Sequence, residues 1–222
     1  MAGIAEKLQL IRARIACTRG VTAPVTLLAV SKGQPIERIQ DAVDAGQKAF
    51  GENYVQEAVQ KMQLLPMLEW HLIGPLQSNK TRVAAERFAW VQTIASEKIA
   101  RRLSEQRPAH LPPLNVLIQV NISGAASKSG VGMQEVEKLA RTICVLPNLR
   151  LRGLMAIPEP GADRSAYQQM KKEYDSLREE FGFDTLSMGM SDDLDIALAE
   201  GATMVRIGTA IFGPRNRQQH AA

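Results

Sequence analysis

One lysine stands at the end of a short apolar run of β type, Val25-Thr26-Leu27-Leu28-Ala29-Val30-Ser31-Lys32. A lysine with an ordinary pKa of about 10.4 is protonated and inert at neutral pH, and strand-end lysines are mostly solvated charges. Inside a partly desolvated pocket, or beside another cation, the amine loses its proton and can attack an aldehyde to form a Schiff base. A second set of chemically useful residues lies near the other end of the chain. Ser187-Met188-Gly189-Met190-Ser191-Asp192-Asp193 and Arg206-Ile207-Gly208-Thr209 combine hydroxyls, glycines that permit close backbone approach, and a fixed positive charge. Those are the parts of an anion cradle, in which Ser191 and Thr209 donate, Gly208 lets the backbone come close, and Arg206 supplies charge. Taken singly, Ser191 reads more readily as a helix cap and Gly208 as a turn residue; the position of both loops in the barrel fold inferred below reverses that order.

The middle of the chain adds candidates of lower weight. Asn53, in Phe50-Gly51-Glu52-Asn53-Tyr54, can bond a ligand oxygen or cap the next helix. His71, between Trp70 and Leu72 on the third expected strand, reads as a core histidine more readily than as a base. Met155 can pack on a flat ring or simply fill core, and Lys128 is a loop charge with a possible ligand contact. A Walker loop, HExxH, a GxGxxG after a strand and clustered Cys/His ligands are all missing, which leaves nucleotide and metal chemistry without support.

Positioning these residues requires elements, and hydrophobic spacing supplies them. Ile4, Leu8, Ile11 and Ile15 mark a helix that precedes the first strand. Strands are then expected at Val25–Ser31, Lys48–Gly51, Glu69–Ile73, Phe88–Ile94, Leu114–Asn121, Arg150–Ile157, Thr185–Gly189 and Ala202–Ile207. Helical patterns follow them: Ile36, Ile39 and Val43 with Gly46 as the stop; Val55, Ala58, Val59 and Met62; a polar helix from about Asn79 to Arg87; Ile99 and Leu103 behind a Ser96 cap. Val136, Leu139, Ala140 and Ile143 mark another, then Tyr167, Met170, Tyr174, Leu177 and Phe181, and last about Asp192 to Glu200. Eight strand–helix units in 222 residues predict an α/β fold, a single-domain (β/α)8 TIM barrel over residues 1–222 with an extra N-terminal helix, in preference to a doubly wound sheet. Barrel proteins place ligands at the C-terminal strand ends, often with phosphate on the loops after strands seven and eight. Lys32 would thus oppose the Ser191 and Gly208–Thr209 loops across the barrel mouth.

Composition narrows the partners. The 27 basic and 23 acidic residues are interleaved without a basic, aromatic-laced run, so nucleic acid is not expected. The apolar runs are of strand length, too short for a membrane span, and charges at Glu6, Lys7, Arg12 and Arg14 do not suit a secretory signal. Cys17 and Cys144 make no pair or framework, which points to a reducing, cytoplasmic setting.

A Schiff-base lysine facing a phosphate cradle suits a phosphorylated aldehyde, of which pyridoxal 5′-phosphate (PLP) is the commonest. Several strings make a resemblance specific. They are Leu28-Ala29-Val30-Ser31-Lys32, Phe50-Gly51-Glu52-Asn53-Tyr54-Val55-Gln56-Glu57, Trp70-His71-Leu72-Ile73-Gly74 with Leu76-Gln77-Ser78-Asn79-Lys80, Ser187-Met188-Gly189-Met190-Ser191, and Met204-Val205-Arg206-Ile207-Gly208-Thr209-Ala210-Ile211-Phe212-Gly213. In order and over nearly the whole chain, they resemble the pyridoxal phosphate homeostasis proteins of the YggS/PROSC family. The resemblance implies a barrel of the alanine racemase N-terminal type, PLP on Lys32 as a Schiff base, and a phosphate held by Ser191, Gly208 and Thr209. It places Arg206 near either the pyridine nitrogen or the phosphate; Asn53 and Met155 stay candidate cofactor contacts from their positions alone. Gln34 stands where the family often carries a second lysine, which removes from this chain any part a neighbouring amine plays in transfer. The function implied is PLP binding and intracellular vitamin B6 homeostasis without turnover, with apo PLP-dependent enzymes as possible recipients. The alternatives are a racemase or decarboxylase of the same fold, and a class I aldolase. Racemases of this fold use a C-terminal β domain and a base from a second subunit; a chain ending soon after Phe212 leaves no room for that domain, so a non-catalytic monomer is expected.

Overall fold

The computed structural model describes residues 2–18, 24–123, 128–159 and 161–214. Eight parallel strands close into a barrel in the order of the sequence, from β1 next to β2 round to β8, which pairs with β1. The strands are β1 Thr26–Val30, β2 Ala49–Glu52, β3 Glu69–Leu72, β4 Trp90–Ile94, β5 Leu114–Val120, β6 Leu149–Ala156, β7 Thr185–Ser187 and β8 Met204–Ile207. Around them run α2 Ile36–Asp44, α3 Val55–Leu64, α4 Thr81–Arg87, α5 Glu97–Gln106, α6 Met133–Cys144, α7 Arg164–Phe181, α8 Leu194–Ala199 and a single turn, α9 Thr209–Phe212. The extra N-terminal helix, α1 Ile4–Cys17, buries Ile4, Leu8, Ile11 and Ile15 and packs against α2 and α9.

Local chemistry explains the helix ends. Ser96 Oγ accepts from the Ile99 amide at 3.4 Å and starts α5. Gly46, at φ +80°, ends α2 in a Schellman arrangement: its amide bonds Val43 O at 2.8 Å while the Gln47 amide bonds Ala42 O at 2.9 Å. The main apolar core fills the layer between strands and helices, with Phe50, Leu72, Phe88, Leu103, Ile118, Ile143, Leu154 and Phe212 essentially sealed from solvent. Each such side chain contributes roughly 1.5–3 kcal/mol relative to exposure.

The barrel interior differs from this outer layer. Two small apolar groups, Leu28 with Ala49, Ile73 and Met204, and Trp90 with Leu117 and Met155, occupy part of it. The remaining volume holds His71, Gln92, Ser187 and Arg206, all buried and hydrogen-bonded to one another.

Four expectations are corrected. The strand after Tyr167's helix is three residues, Thr185–Ser187, and α8 starts at Leu194 instead of Asp192, because Asp193 Oδ1 accepts from the Met190 amide at 2.5 Å and folds residues 190–193 into a turn. The helix expected from Asn79 begins as a 3-10 turn, Ser78–Lys80, and becomes α-helical at Thr81. Most consequentially, β8 is the hydrogen-bonded neighbour of β1, with Leu28 beside Arg206 and Ala29 beside Ile207. Lys32 and the Gly208–Thr209 loop are therefore adjacent on one arc of the mouth and do not oppose each other across it.

Candidate functional site

Because all strands are parallel, Lys32, Asn53, Met155, Ser191, Arg206, Gly208 and Thr209 all fall at or just beyond C-terminal strand ends, on one face of the barrel. Lys32 is half-buried in the turn after β1. Its neighbours on both sides are pinned. The Ser31 amide bonds Gly51 O at 3.0 Å, Ser31 Oγ donates to Glu52 Oε1 at 2.6 Å, and the Gly33 amide donates to Glu57 Oε1 at 2.5 Å.

The two carboxylates belong to a buried cluster organised by Lys61 on α3. Its ammonium donates at 2.7 Å to each of Ser31 O, Glu52 Oε1 and Glu57 Oε1. Glu52 is fully buried and its Oε2 has no hydrogen-bond partner among the described residues. Burial pushes the Glu52 carboxyl above its usual range, against the pull of the Lys61 ammonium and the Ser31 hydroxyl. The turn carrying Lys32 is thus clamped from behind by the buried Glu52–Lys61 pair and the partly exposed Glu57.

On the adjoining side of the mouth, Ser191 is not the cap of α8, whose N-cap is Asp193. Its Oγ instead accepts from the Ala210 amide at 3.3 Å, joining the loop after β7 to the start of α9. Thr209 is exposed, and Gly208 lies so near β1 that an added Cβ would sit 3.3 Å from Val30 O and Val30 Cβ. Gly189 positions this loop. Its φ is +95°, and a Cβ there would approach Ala197 Cβ to 2.4 Å.

Arg206 is 3% exposed. Its guanidinium reaches inward past β7 to β6, where Nη1 donates to Ser187 Oγ and Nη2 to Ala156 O, both at 2.8 Å. Both acceptors are neutral, and burial lowers its pKa to about 10, with Asp193 opposing that shift through space. Asp193 itself accepts the Tyr167 hydroxyl, whose pKa is raised chiefly by burial.

The other expected residues fall less centrally. Asn53 is half-buried just beyond β2 and does not cap α3, whose N-cap is Tyr54. Met155 is fully buried against Trp90 and Leu117, beneath the mouth. Lys128 is largely exposed, 3.9 Å from Glu159 Oε1. It lines a separate cleft of about 550 Å3 at the ends of β5 and β6, with Gln119, Asn121, Ile157 and Ser165. His71 is a satisfied core histidine: Nε2 lies 2.8 Å from Glu69 Oε1 and Nδ1 2.9 Å from Gln92 Nε2. Sequence reasoning missed Glu52, Lys61, Gln92 and Ser187. Only the (i, i+4) spacing of Glu57 and Lys61, and the polar Gln92 within the apolar run Trp90–Ile94, gave any sign of them.

Comparison with known proteins places this geometry. The family described as alanine racemase, N-terminal domain, matches residues 7–216. The pyridoxal phosphate homeostasis protein of Escherichia coli (strain K12) is 52% identical over 230 residues, covering 97% of this chain and 98% of that protein. The chain belongs to the pyridoxal phosphate homeostasis family. A second homeostasis protein, from Pseudomonas aeruginosa, is 54% identical over 227 residues, covering 97% of each chain. Among solved structures, PipY of Synechococcus elongatus PCC7942 with PLP bound superposes with a TM-score of 0.83 at 34% identity, covering 95% of this chain and 100% of PipY. Alanine racemase from Corynebacterium glutamicum shares the fold, with a TM-score of 0.76 at 18% identity over 98% of this chain and 62% of the racemase. No helix among the described residues is long and apolar enough to cross a membrane.

Proposed function

We propose that this protein binds PLP as a Schiff base on Lys32 and serves intracellular PLP homeostasis, holding and handing over the cofactor without turning over a substrate. The observation that carries the reading is the Ser191–Ala210 hydrogen bond, which ties the loops after β7 and β8 together on the strand next to the one that presents Lys32. When bound, PLP supplies an aldehyde that condenses with an amine, an aromatic ring and a phosphate dianion.

The residues present fit such a group. Lys32 offers a half-buried amine whose turn is held from both sides by Glu52 and Glu57. Ser191, Gly208 and Thr209 offer hydroxyl and backbone donors where the phosphate would sit. Arg206, a buried cation with two neutral acceptors, is held toward β6 and β7, so in this reading it would face the ring nitrogen and not the phosphate. A fixed guanidinium there would keep the nitrogen unprotonated and weaken the ring as an electron sink, which would favour storage over carbanion chemistry. With PLP bound, Met155, buried beneath the mouth, would lie under the ring, and Asn53 would bond a ring substituent.

The name borne by relatives matched end to end supports homeostasis over racemisation, since the racemases share the fold at low identity. A cytoplasmic monomer that delivers PLP to apo PLP-dependent enzymes completes the proposal. Titration with PLP followed by absorption tests it, with chiral analysis of the standard amino acids incubated with the loaded protein. A saturable band and no racemisation or decarboxylation above free PLP is the expected result; a rate well above free PLP would replace the binding role with a catalytic one.

A further inference from the structure

A continuous row of hydrogen bonds crosses the barrel interior from the mouth to the opposite end. Arg206 Nη1 donates to Ser187 Oγ at 2.8 Å, and Ser187 Oγ donates to Gln92 Oε1 at 2.7 Å. Gln92 Nε2 lies 2.9 Å from His71 Nδ1, and His71 Nε2 lies 2.8 Å from Glu69 Oε1. Glu69 begins β3, at the N-terminal end of the barrel, with its side chain 48% exposed; His71, Gln92 and Ser187 are fully buried.

With Gln92 Oε1 turned toward Ser187 and its Nε2 toward Met204 Sδ and His71, donor counting gives one arrangement. A guanidinium only donates, so Ser187 Oγ accepts from Arg206 and has one proton, which goes to Gln92. Gln92 Oε1 is then the acceptor, which turns its NH2 toward His71, with a second contact to Met204 Sδ at 3.1 Å. His71 Nδ1 must accept, leaving the proton on Nε2, where the Glu69 carboxylate receives it. Every bond runs in one sense, from the cation at the mouth to the anion at the far end.

We propose that Glu69 and His71, remote from the ligand, are positioning residues for it: Glu69 fixes the His71 tautomer, and the row of bonds so oriented holds the Arg206 guanidinium in the mouth. The inference rests on the reading that the ligand lies against Arg206. Burial keeps His71 neutral, as the arrangement requires, and the His71 hydrogen bond holds Glu69 below the usual carboxylate range. The neighbours around the row are few. The His71 ring stacks on Trp90 at 5.1 Å, Arg152 lies 4.8 Å over that same ring and acts on Glu69, and Asp193 and Tyr167 act on Arg206. None of them interrupts the row. An alternative purely structural role for His71 would require an intact fold but no fixed direction of the bonds.

The test uses 15N-histidine NMR on the ligand-free protein, then PLP affinity and the pH midpoint of the bound-PLP absorption band, in the unaltered chain, Glu69→Ala and Glu69→Gln. Half-exposed Glu69 can be replaced without opening the core, and thermal unfolding checks that. The expected result is a single His71 tautomer protonated at Nε2, mixed tautomers in Glu69→Ala with at least a threefold weaker PLP Kd and a displaced midpoint, and recovery of tautomer and affinity in Glu69→Gln, which keeps an acceptor. A proton on Nδ1 in the unaltered protein overturns the proposal, as does Glu69→Ala with Kd and midpoint unchanged. Failure of the unaltered protein to bind PLP would instead overturn the site reading, while the ligand-free tautomer still decides the direction of the row.

Discussion

Lys61 Nζ stands 2.7 Å from Glu52 Oε1, the same oxygen that receives the Ser31 hydroxyl at 2.6 Å. Lys32 therefore follows a residue locked to a buried ion pair, and precedes Gly33, whose amide is locked to the second carboxylate of that cluster, Glu57. A long, flexible side chain acquires a defined root in this way, which lowers the entropy lost when its amine meets a ligand.

Lys61→Met removes the cation and leaves Glu52 buried, 0% exposed, without its charge partner. Breaking a buried pair from one side costs about 3–5 kcal/mol, and replacing both partners by apolar groups recovers much of it. Urea unfolding of Lys61→Met and of Lys61→Met with Glu52→Leu should show that order. A single variant as stable as the parent would mean the cluster contributes nothing.

Acid should weaken the fold through His71. Burial lowers its pKa below 6.5, so the native state stays neutral where the unfolded chain takes a proton. The unfolded state binds more protons in that window, and stability falls as pH drops below 6.5, by at most about 1.4 kcal/mol per pH unit. Glu69, held low by His71, adds its own loss only below 4.5. Unfolding free energies measured from pH 7 downward should decline less steeply in His71→Gln; equal slopes would contradict the buried neutral imidazole.

Ser191→Ala and Thr209→Ala should each weaken PLP binding about tenfold, the scale of one lost hydrogen bond to a charged group. Neither residue is in the core, so melting temperatures should move little. Unchanged affinity in both variants would remove the phosphate from this arc of the mouth.

Gly189→Ala combines a left-handed backbone at φ +95° with a Cβ only 2.4 Å from Ala197 Cβ. Strain and overpacking each cost on the order of 1–3 kcal/mol. Because Ser191 lies two residues on, PLP affinity should fall along with stability. A variant with parental stability would show that α8 yields freely.

The barrel was readable because each strand is a short apolar run and each helix carries its own stripe, so period alone separates the units. Lys32, Ser191, Arg206 and Thr209 stand out in the sequence as polar residues where such runs end, with Gly208 between the last two. The turn at 190–193 was not, since it depends on Asp193 reaching back to a backbone amide. Glu52 and Lys61 meet only when α3 folds onto β2. Gln92 and Ser187 are 95 residues apart and join only because the closed barrel brings their strands' inner faces together. Barrel closure also explains the misplaced geometry of the mouth: β1 and β8, farthest apart in sequence, are neighbours.

Everything proposed for the mouth depends on Lys32 carrying the ligand. Borohydride reduction of the PLP-loaded protein, followed by proteolysis and mass spectrometry, locates the attachment directly. The expected result is a phosphopyridoxyl mass on Lys32, absent in Lys32→Ala; the label on another lysine, or a protein that loads PLP with none fixed, would rule out Lys32 as the carrier.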